Sequence, residues 1–389
     1  MNKGKYVFSQ LIGLLSSTSF STCVNRYDGH YKVKHFSCWK QFLCMCFGQL
    51  THRESLSDTI TCLNAHRDKL YHLGIGGLVT KSTLSRANES RDWRIFRDFA
   101  SLLIQEAKEL YLGDSNLEIE LQNNVFAIDA TIIDLCLNTF SWATFRKTKA
   151  AVKIHSQLDL KTSIPVFAYI TPADVHEVNF LDILQYEPNS FYVMDRGYVD
   201  FKRLYRIHQS SAYFVVRCKE NLDFKRIKSN PCDKSTGVLC DQIIKLVNFY
   251  PLRDYPIKLR RVKFYDIEQE RVLIFLTNNF EFSASVIAQL YKHRWKIELF
   301  FKWIKQHLKI QSFWGQSANA VKTQIWIAIS VYVLVAIAKK RFSINHSLYE
   351  ILQIISIGIF ERMPINSLFQ PSTNQHFKEL YCNQLNIFD

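Results

Sequence analysis

The chain has 389 residues, 48% of them hydrophobic and 22% charged, with a formal net charge of +14. This composition excludes a disordered, collagenous or disulfide-built protein, and the length provides for a large core in two or three domains. The charge is uneven: residues 195 to 310 hold 23 Lys plus Arg against 12 Asp plus Glu, as expected of a surface that accepts a polyanion.

Ten cysteines, at positions 23, 38, 44, 46, 62, 136, 218, 232, 240 and 382, form neither a CxxC pair nor a Cys/His finger spacing. They read as free thiols of a reducing cytoplasm. Cys44-Met-Cys46 falls in an apolar helical run, where burial explains it better than metal ligation. Lys3 and Lys5 precede VFSQLIGLL, but Gln10 interrupts that run and no A-x-A site follows, so it does not read as a signal peptide and a cytoplasmic protein is expected. The most apolar stretch, IWIAISVYVLVAIA from Ile325 to Ala338, is shorter than the roughly 20 residues of a membrane span. It reads as a buried helix, and no membrane partner is expected.

Residues 1 to 118 are expected to form an all-α N-terminal DNA-binding domain, from the helical apolar spacing in FSQLIGLL, CWKQFLCMCFGQL, SLSDTITCLNAHRDKL and WRIFRDFASLLIQEAKELYL. Within it, VTKSTLSRANESRDWRIF has Thr80 or Ser82 as a cap and offers Ser85, Arg86, Asn88 and Arg91 to a groove, as the second helix of a helix-turn-helix would. A solvated face of a helical bundle is the alternative.

From Val125 the hydrophobic period shortens to that of strands: VFAIDATII, VKIHSQLDL, IPVFAYIT, FYVMD and, after a helical VDFKRLYRIHQ, AYFVVRCK. This order predicts a mixed α/β, ribonuclease-H-like core over residues 119–342. The stretch from Lys219 to Asn279 contains KLRRVKFYDI and ERVLIFLTN, is too long for a loop, and reads as a β-rich inserted subdomain, about 219–279. Ser283 then caps one long helix running to about Leu308; a core helix follows from Ala318 to Phe342, and residues 343–389 form a helical tail.

The candidate chemistry lies in three segments. Asp129 follows the strand run VFAI, Asp195 follows FYVM, and YKHRWKIELFFKWIK places Tyr291, Arg294, Glu298 and Lys305 on one helical stripe at the border of the apolar face. Two strand-borne aspartates and a helix-borne glutamate are the carboxylates that a divalent-metal phosphodiester site needs. Each also has an ordinary reading: turn aspartates at strand ends, and an exposed i to i+4 Arg294–Glu298 pair worth roughly 0.2–0.5 kcal/mol. Asp134, Asp159 and Asp200 compete for the aspartate roles, with Asp200 better placed at a helix N-terminus.

FAIDAT, then VMDRGYVD, then Y-x2-R-x3-E-x6-K resemble the DDE transposases of bacterial insertion sequences, specifically the insertion-sequence-four family, over about residues 5 to 340. The resemblance implies a metal-binding catalytic triad of Asp129, Asp195 and Glu298, holding two Mg²⁺ for which Mn²⁺ substitutes. It implies that Tyr291, Arg294 and Lys305 hold DNA near the transposon end. The partners it implies are double-stranded DNA, both terminal inverted repeats and target, and a second copy of the chain in a homodimeric synaptic complex. One departure stands out: some relatives hold a flipped base with a tryptophan in the β insertion, and here no Trp lies between Asp195 and Trp295. Tyr250, Tyr255, Phe264 and Tyr265 are the flat side chains available instead. His176 sits where relatives often carry a His followed by an acid, and reads as a surface residue. Two further functions compete with transposition: a catalytically silent DNA-binding descendant, and a ribonuclease-H-like nuclease without strand transfer.

Overall fold

The computed structural model describes residues 4–114, 117, 119, 121–135, 140–146, 149–218, 222–307 and 313–370. Cys136, Cys382, the Lys219 start of the expected insertion, the Leu308 end of the expected long helix and the tail beyond 370 lie outside the described residues.

Six helices open the chain: α1 (Val7–Ile12), α2 (Ser17–Arg26), α3 (Cys38–Leu50), α4 (Leu56–Ala65), α5 (Lys81–Ser90) and α6 (Arg94–Leu110). Ser16, Ser37, Ser55 and Thr80 start four of them, each side-chain oxygen accepting the backbone N–H three residues on. α6 repeats apolar residues on one face and buries Ile95, Phe96, Phe99, Leu103 and Ala107. The expected groove-reading surface of α5 is corrected by its packing. Asn88 is buried and accepts a hydrogen bond from Gln41 at 2.7 Å. Arg91 donates to the Phe36 carbonyl, to Ser37 O at 2.9 Å and to Gln41 Oε1 at 3.0 Å. Both side chains are committed to the bundle, which leaves Arg86 exposed and Ser85 half-buried.

The strands are β1 (Val125–Leu135), β2 (Thr144–Arg146), β3 (Lys149–Asp159), β4 (Pro165–Pro172) and β5 (Phe191–Met194); then helix α7 (Phe201–Gln209) and β6 (Tyr213–Arg217). β1 runs antiparallel to β3 and β3 to β4, whereas β5 is parallel to β1 and β6 to β5. The resulting order β4-β3-β1-β5-β6 is that of a ribonuclease-H-like core.

β7 (Phe224–Asn230), β8 (Val238–Leu246), helix α8 (Phe249–Asp254), β9 (Leu259–Asp266) and β10 (Arg271–Thr277) follow. They do not fold apart from the core. β10 pairs antiparallel with β6, and β9, β8 and β7 extend the same sheet outward. An ion pair fixes this extension to what comes next: Arg260 reaches Asp241 at 2.8 Å, with both side chains 5% exposed, and donates to Phe282 O at 2.5 Å. Phe282 precedes Ser283, whose hydroxyl caps α9 (Ala284–Lys292).

α10 (Trp295–His307), α11 (Ala318–Arg341) and α12 (Leu348–Gly358) are the last α-helices among the described residues. α11 is long and apolar enough to cross a membrane, yet 94% of its most apolar window is buried inside the protein. It is apolar on every side because it is enclosed on every side. It packs on α3, α5, α6, α10 and α12. Tyr111 donates to Ala336 O at 3.0 Å, Tyr332 to Ser163 O at 2.8 Å, and Asn319 to the carbonyls of Asn88 and Arg91. The N-terminal helices and one face of the sheet thus share one core around α11.

Candidate active site

Side chains alternate across a strand, so the position of Asp129 follows from its neighbours. Val125 and Ala127 of β1, and Phe191 and Val193 of β5, face the core that contains Ile287, Leu290, Tyr291 and Ile297. Phe126, Ile128, Tyr192 and Met194 face the opposite core. Asp129 continues the first set along β1, and Asp195 is the next residue of that parity just beyond β5. The parallel ladder between the two strands ends at Ile128 and Met194, so the two aspartates, Asp129 within β1 and Asp195 just past β5, lie at the same level and on the side of the same helical layer.

The stripe of four residues does not lie on one continuous helix. α9 ends at Lys292 and α10 begins at Trp295. Across the corner, Arg294 N–H bonds Tyr291 O, Lys296 N–H bonds His293 O and Ile297 N–H bonds Arg294 O, all three at 3.0 Å. These i to i−3 bonds tighten the chain between the two helices. Tyr291 and Arg294 address different aspartates. Tyr291 Oη donates to Asp195 Oδ1 at 3.3 Å, and its ring packs on Phe275 with centroids 4.6 Å apart. Arg294 sits at the corner and forks: Nη1 donates to Asp129 Oδ2 at 3.0 Å and Nη2 to Glu298 Oε1 at 2.5 Å. Glu298 lies in the first turn of α10, where the helix dipole favours a carboxylate.

Burial governs the protonation of this group. It pushes the Asp129 carboxyl up to about 6, partly opposed by Arg294 and the Ala130 amide and reinforced by the charges of Glu177 and Glu298. For Arg294 burial works against the charge, but Tyr291, Asp129 and Glu298 outweigh it and hold the guanidinium above its ordinary value. Burial also raises the Tyr291 hydroxyl. It lowers the Lys305 ammonium, opposed by the charge of Asp134. Lys305 and Lys302 line, with Asp129, Thr131 and Glu298, a cleft of about 320 Å³. A larger groove of about 790 Å³, between the Tyr27–Phe36 segment and α5, contains none of these carboxylates.

Two residues of the neighbourhood were not singled out by their sequence. Glu177 follows the exposed His176 and pairs with the buried Lys153 at 3.7 Å. A Cβ on Gly197 would lie 3.7 Å from its Oε2, which places Glu177 against the turn that follows Asp195. Tyr198, in the same turn, is fully buried; among the described residues its hydroxyl has no hydrogen-bond partner, and burial followed by the charges of Asp129 and Glu177 raises it, opposed by Arg294. The only sequence signal for either was the acid after His176 and the aromatic after Arg196-Gly197. Of the flat side chains proposed for base stacking, Tyr255 is fully buried and Phe264 half-buried, whereas Tyr250 is 66% and Tyr265 37% exposed.

Asp129, Asp195 and Glu298 offer only hard oxygen donors, the chemistry that suits a divalent cation such as Mg²⁺. Among the described residues no three Asp, Glu, His or Cys side chains are gathered into a ready metal cage. Asp129 and Glu298 instead already share one positive charge, the Arg294 guanidinium, so the site's electrostatics fit a cation between them.

A family model described as "Transposase DDE domain" matches residues 120–334, and one described as "Domain of unknown function (DUF4372)" matches residues 3–76. The chain is 30% identical over 292 residues to a Sinorhizobium fredii (strain NBRC 101917 / NGR234) protein named as transposase y4zB, across 74% of this chain and 80% of that one. It is 26% identical over 259 residues to a Geobacillus stearothermophilus protein named as the transposase of insertion sequence element IS5377, across 65% and 66% of the two chains. It is 27% identical over 279 residues to a Synechocystis sp. (strain ATCC 27184 / PCC 6803 / Kazusa) protein named as the transposase of element IS4SA, across 67% and 72%.

Proposed function

The chain belongs to the DDE transposases, and from that premise we propose that it cleaves and joins DNA at the terminal inverted repeats of its own insertion sequence. Enzymes of this family work with divalent metal ions. In our reading Asp129, Asp195 and Glu298 would hold two Mg²⁺, with Mn²⁺ able to replace them. When bound, such ions polarise a phosphoryl oxygen and lower the pKa of water or a hydroxyl, which is the chemistry of in-line phosphodiester displacement.

The remaining work falls to the chain's own residues. The paired strands β1 and β5 hold Asp129 and Asp195 at a fixed separation, so little reorganisation is needed during the reaction. Tyr291 restrains the Asp195 carboxylate through its hydroxyl. Lys305, which lines the cleft beside Glu298, and Arg294, which is bonded to Glu298 next to it, neutralise phosphates of the bound strand, Lys305 as a point charge and Arg294 with a planar fork. Lys and Arg of the sheet extension add sequence-independent contacts to the duplex. Two copies act together on the two ends, in the bacterial cytoplasm where the element's DNA lies.

The observation that carries this reading is the emergence of Asp129 and Asp195 side by side toward the helix bearing Glu298, with Arg294 joining Asp129 to Glu298. The test is incubation with Mg²⁺ and a labelled fragment carrying the element's own end. End-specific nicking followed by joining supports transposition. Binding without cutting identifies a silent DNA-binding descendant, and cutting with no preference for the end identifies a nuclease.

A further inference from the structure

Arg294 occupies a position that its assignment to DNA does not explain. Its guanidinium is only 15% exposed and lies over the Tyr291 ring at 5.5 Å. It spends two N–H groups on Asp129 and Glu298, at 3.0 and 2.5 Å, and among the described residues its buried Nε–H has no partner. A buried donor without an acceptor is unfavourable, so this seat is not the best available to the side chain. The two carboxylates it joins are the ones the proposed site needs for a cation, and a guanidinium and a divalent ion held against the same two carboxylates repel one another. A cleft lined by Lys302 and Lys305 opens beside the same residues.

We propose that Arg294 is a charge stand-in: it positions Asp129 and Glu298 across from one another before a divalent ion arrives, then releases both and transfers its fork to a DNA phosphate. The inference rests on the metal-site reading above and adds an exchange to it. Because one side chain leaves the carboxylates as it engages the phosphate, metal binding and DNA binding favour each other. Linkage then requires DNA to tighten the metal by the same factor as the metal tightens DNA. The exchange also keeps the guanidinium paired throughout, which a buried charge demands.

The test is calorimetric titration of the full chain with Mn²⁺ alone, and again with a pre-cleaved end duplex that cannot turn over. For the wild type we expect the duplex to tighten Mn²⁺ by roughly tenfold, within the usual range of coupling between sites. For Arg294→Met, which keeps the apolar stem and loses the charge, we expect the free protein to bind Mn²⁺ tighter than wild type and the duplex to have little further effect. Equal Mn²⁺ affinity in the free wild type and the free variant overturns the exchange. Arg294→Lys, which keeps a charge but cannot fork to two carboxylates, covers the case in which the Met variant fails to fold: tighter Mn²⁺ binding than wild type supports the proposal, and unchanged binding overturns it. Asp129→Asn separates the two levels. If Mn²⁺ binding survives that change, the metal-site reading fails and this inference fails with it; if binding is lost there but Arg294→Met behaves as wild type, the exchange alone fails.

Discussion

Asp129 and Asp195 lie at the same level, each directly after the Ile128–Met194 pair that ends the parallel ladder of two adjacent strands. A carboxylate at such a position is costly unless something positive meets it, and the helical corner supplies Arg294 to one and the Tyr291 hydroxyl to the other. Four residues from three distant segments therefore depend on one another. We expect Asp129→Asn, Asp195→Asn and Glu298→Gln each to reduce end cleavage by at least about a thousandfold while retaining end binding, since ligands of one centre act as a unit. Gel assays of cleavage and of binding on the same fragment check this; a Glu298→Gln enzyme that still cuts removes Glu298 from the centre.

The Asp129 carboxyl, raised to about 6 from an ordinary value of 3.8, makes stability depend on pH. Between those values the folded chain holds a proton that the unfolded chain has released. The associated stability is therefore complete below about pH 4 and is lost as pH rises through about 6, by at most about 3 kcal/mol in metal-free protein. Asp129→Asn removes that loss, so we expect the variant to melt no lower than wild type at about pH 7.5 while being inactive. Cleavage by the wild type should rise with pH through about 6 as the carboxylate forms. Melting curves at several pH values in the presence of a chelator measure the first effect.

Lys305 has no carboxylate four residues before it in the helix, but the fold brings it under the influence of Asp134 on β1. If Lys305 serves DNA, Lys305→Ala should lower the slope of log affinity against log salt by roughly one unit, while Asp134→Asn leaves the slope alone. Equal slopes and equal cleavage in wild type and Lys305→Ala would mean that Lys305 does not serve DNA.

Arg260 and Asp241 are the buried ion pair of the sheet extension. Removing one partner strands the other charge, so Arg260→Ala should cost about 3–5 kcal/mol. Replacing both by apolar residues should cost much less. Because Arg260 also holds Phe282 O just before the α9 cap, the single variant should lose cleavage near its new melting temperature sooner than it loses secondary structure. Chemical denaturation and circular dichroism distinguish these outcomes.

The strands that carry Asp129 and precede Asp195, and the helical segment that carries Glu298, were legible because they rest on local period, which a single sequence carries. The interruption at His293–Arg294 was not, because Trp295 and Lys296 continue a helical pattern and no Gly or Pro marks the break. The same applies to the residues from Phe224 to Thr277: their strands were recognisable, but that β10 would pair with β6 depends on long-range register. Asn88 and Arg91 looked available to DNA because polar residues on a helix usually face water; only the fold shows that Gln41 and the Phe36–Ser37 carbonyls claim them. Tyr198 and Glu177 could not be recognised from spacing, since what gathers them is a turn and a strand exit from different parts of the sheet.

Tyr111 and Ala336, bonded through a hydroxyl and a carbonyl, are 225 positions apart in the chain. The first six helices thus leave the ribosome long before the helix that covers their inner faces has been synthesised, and they wait with apolar surface bare. A chain that stopped short of α11 would keep those apolar faces bare, a state that favours chaperone capture and proteolysis over folding.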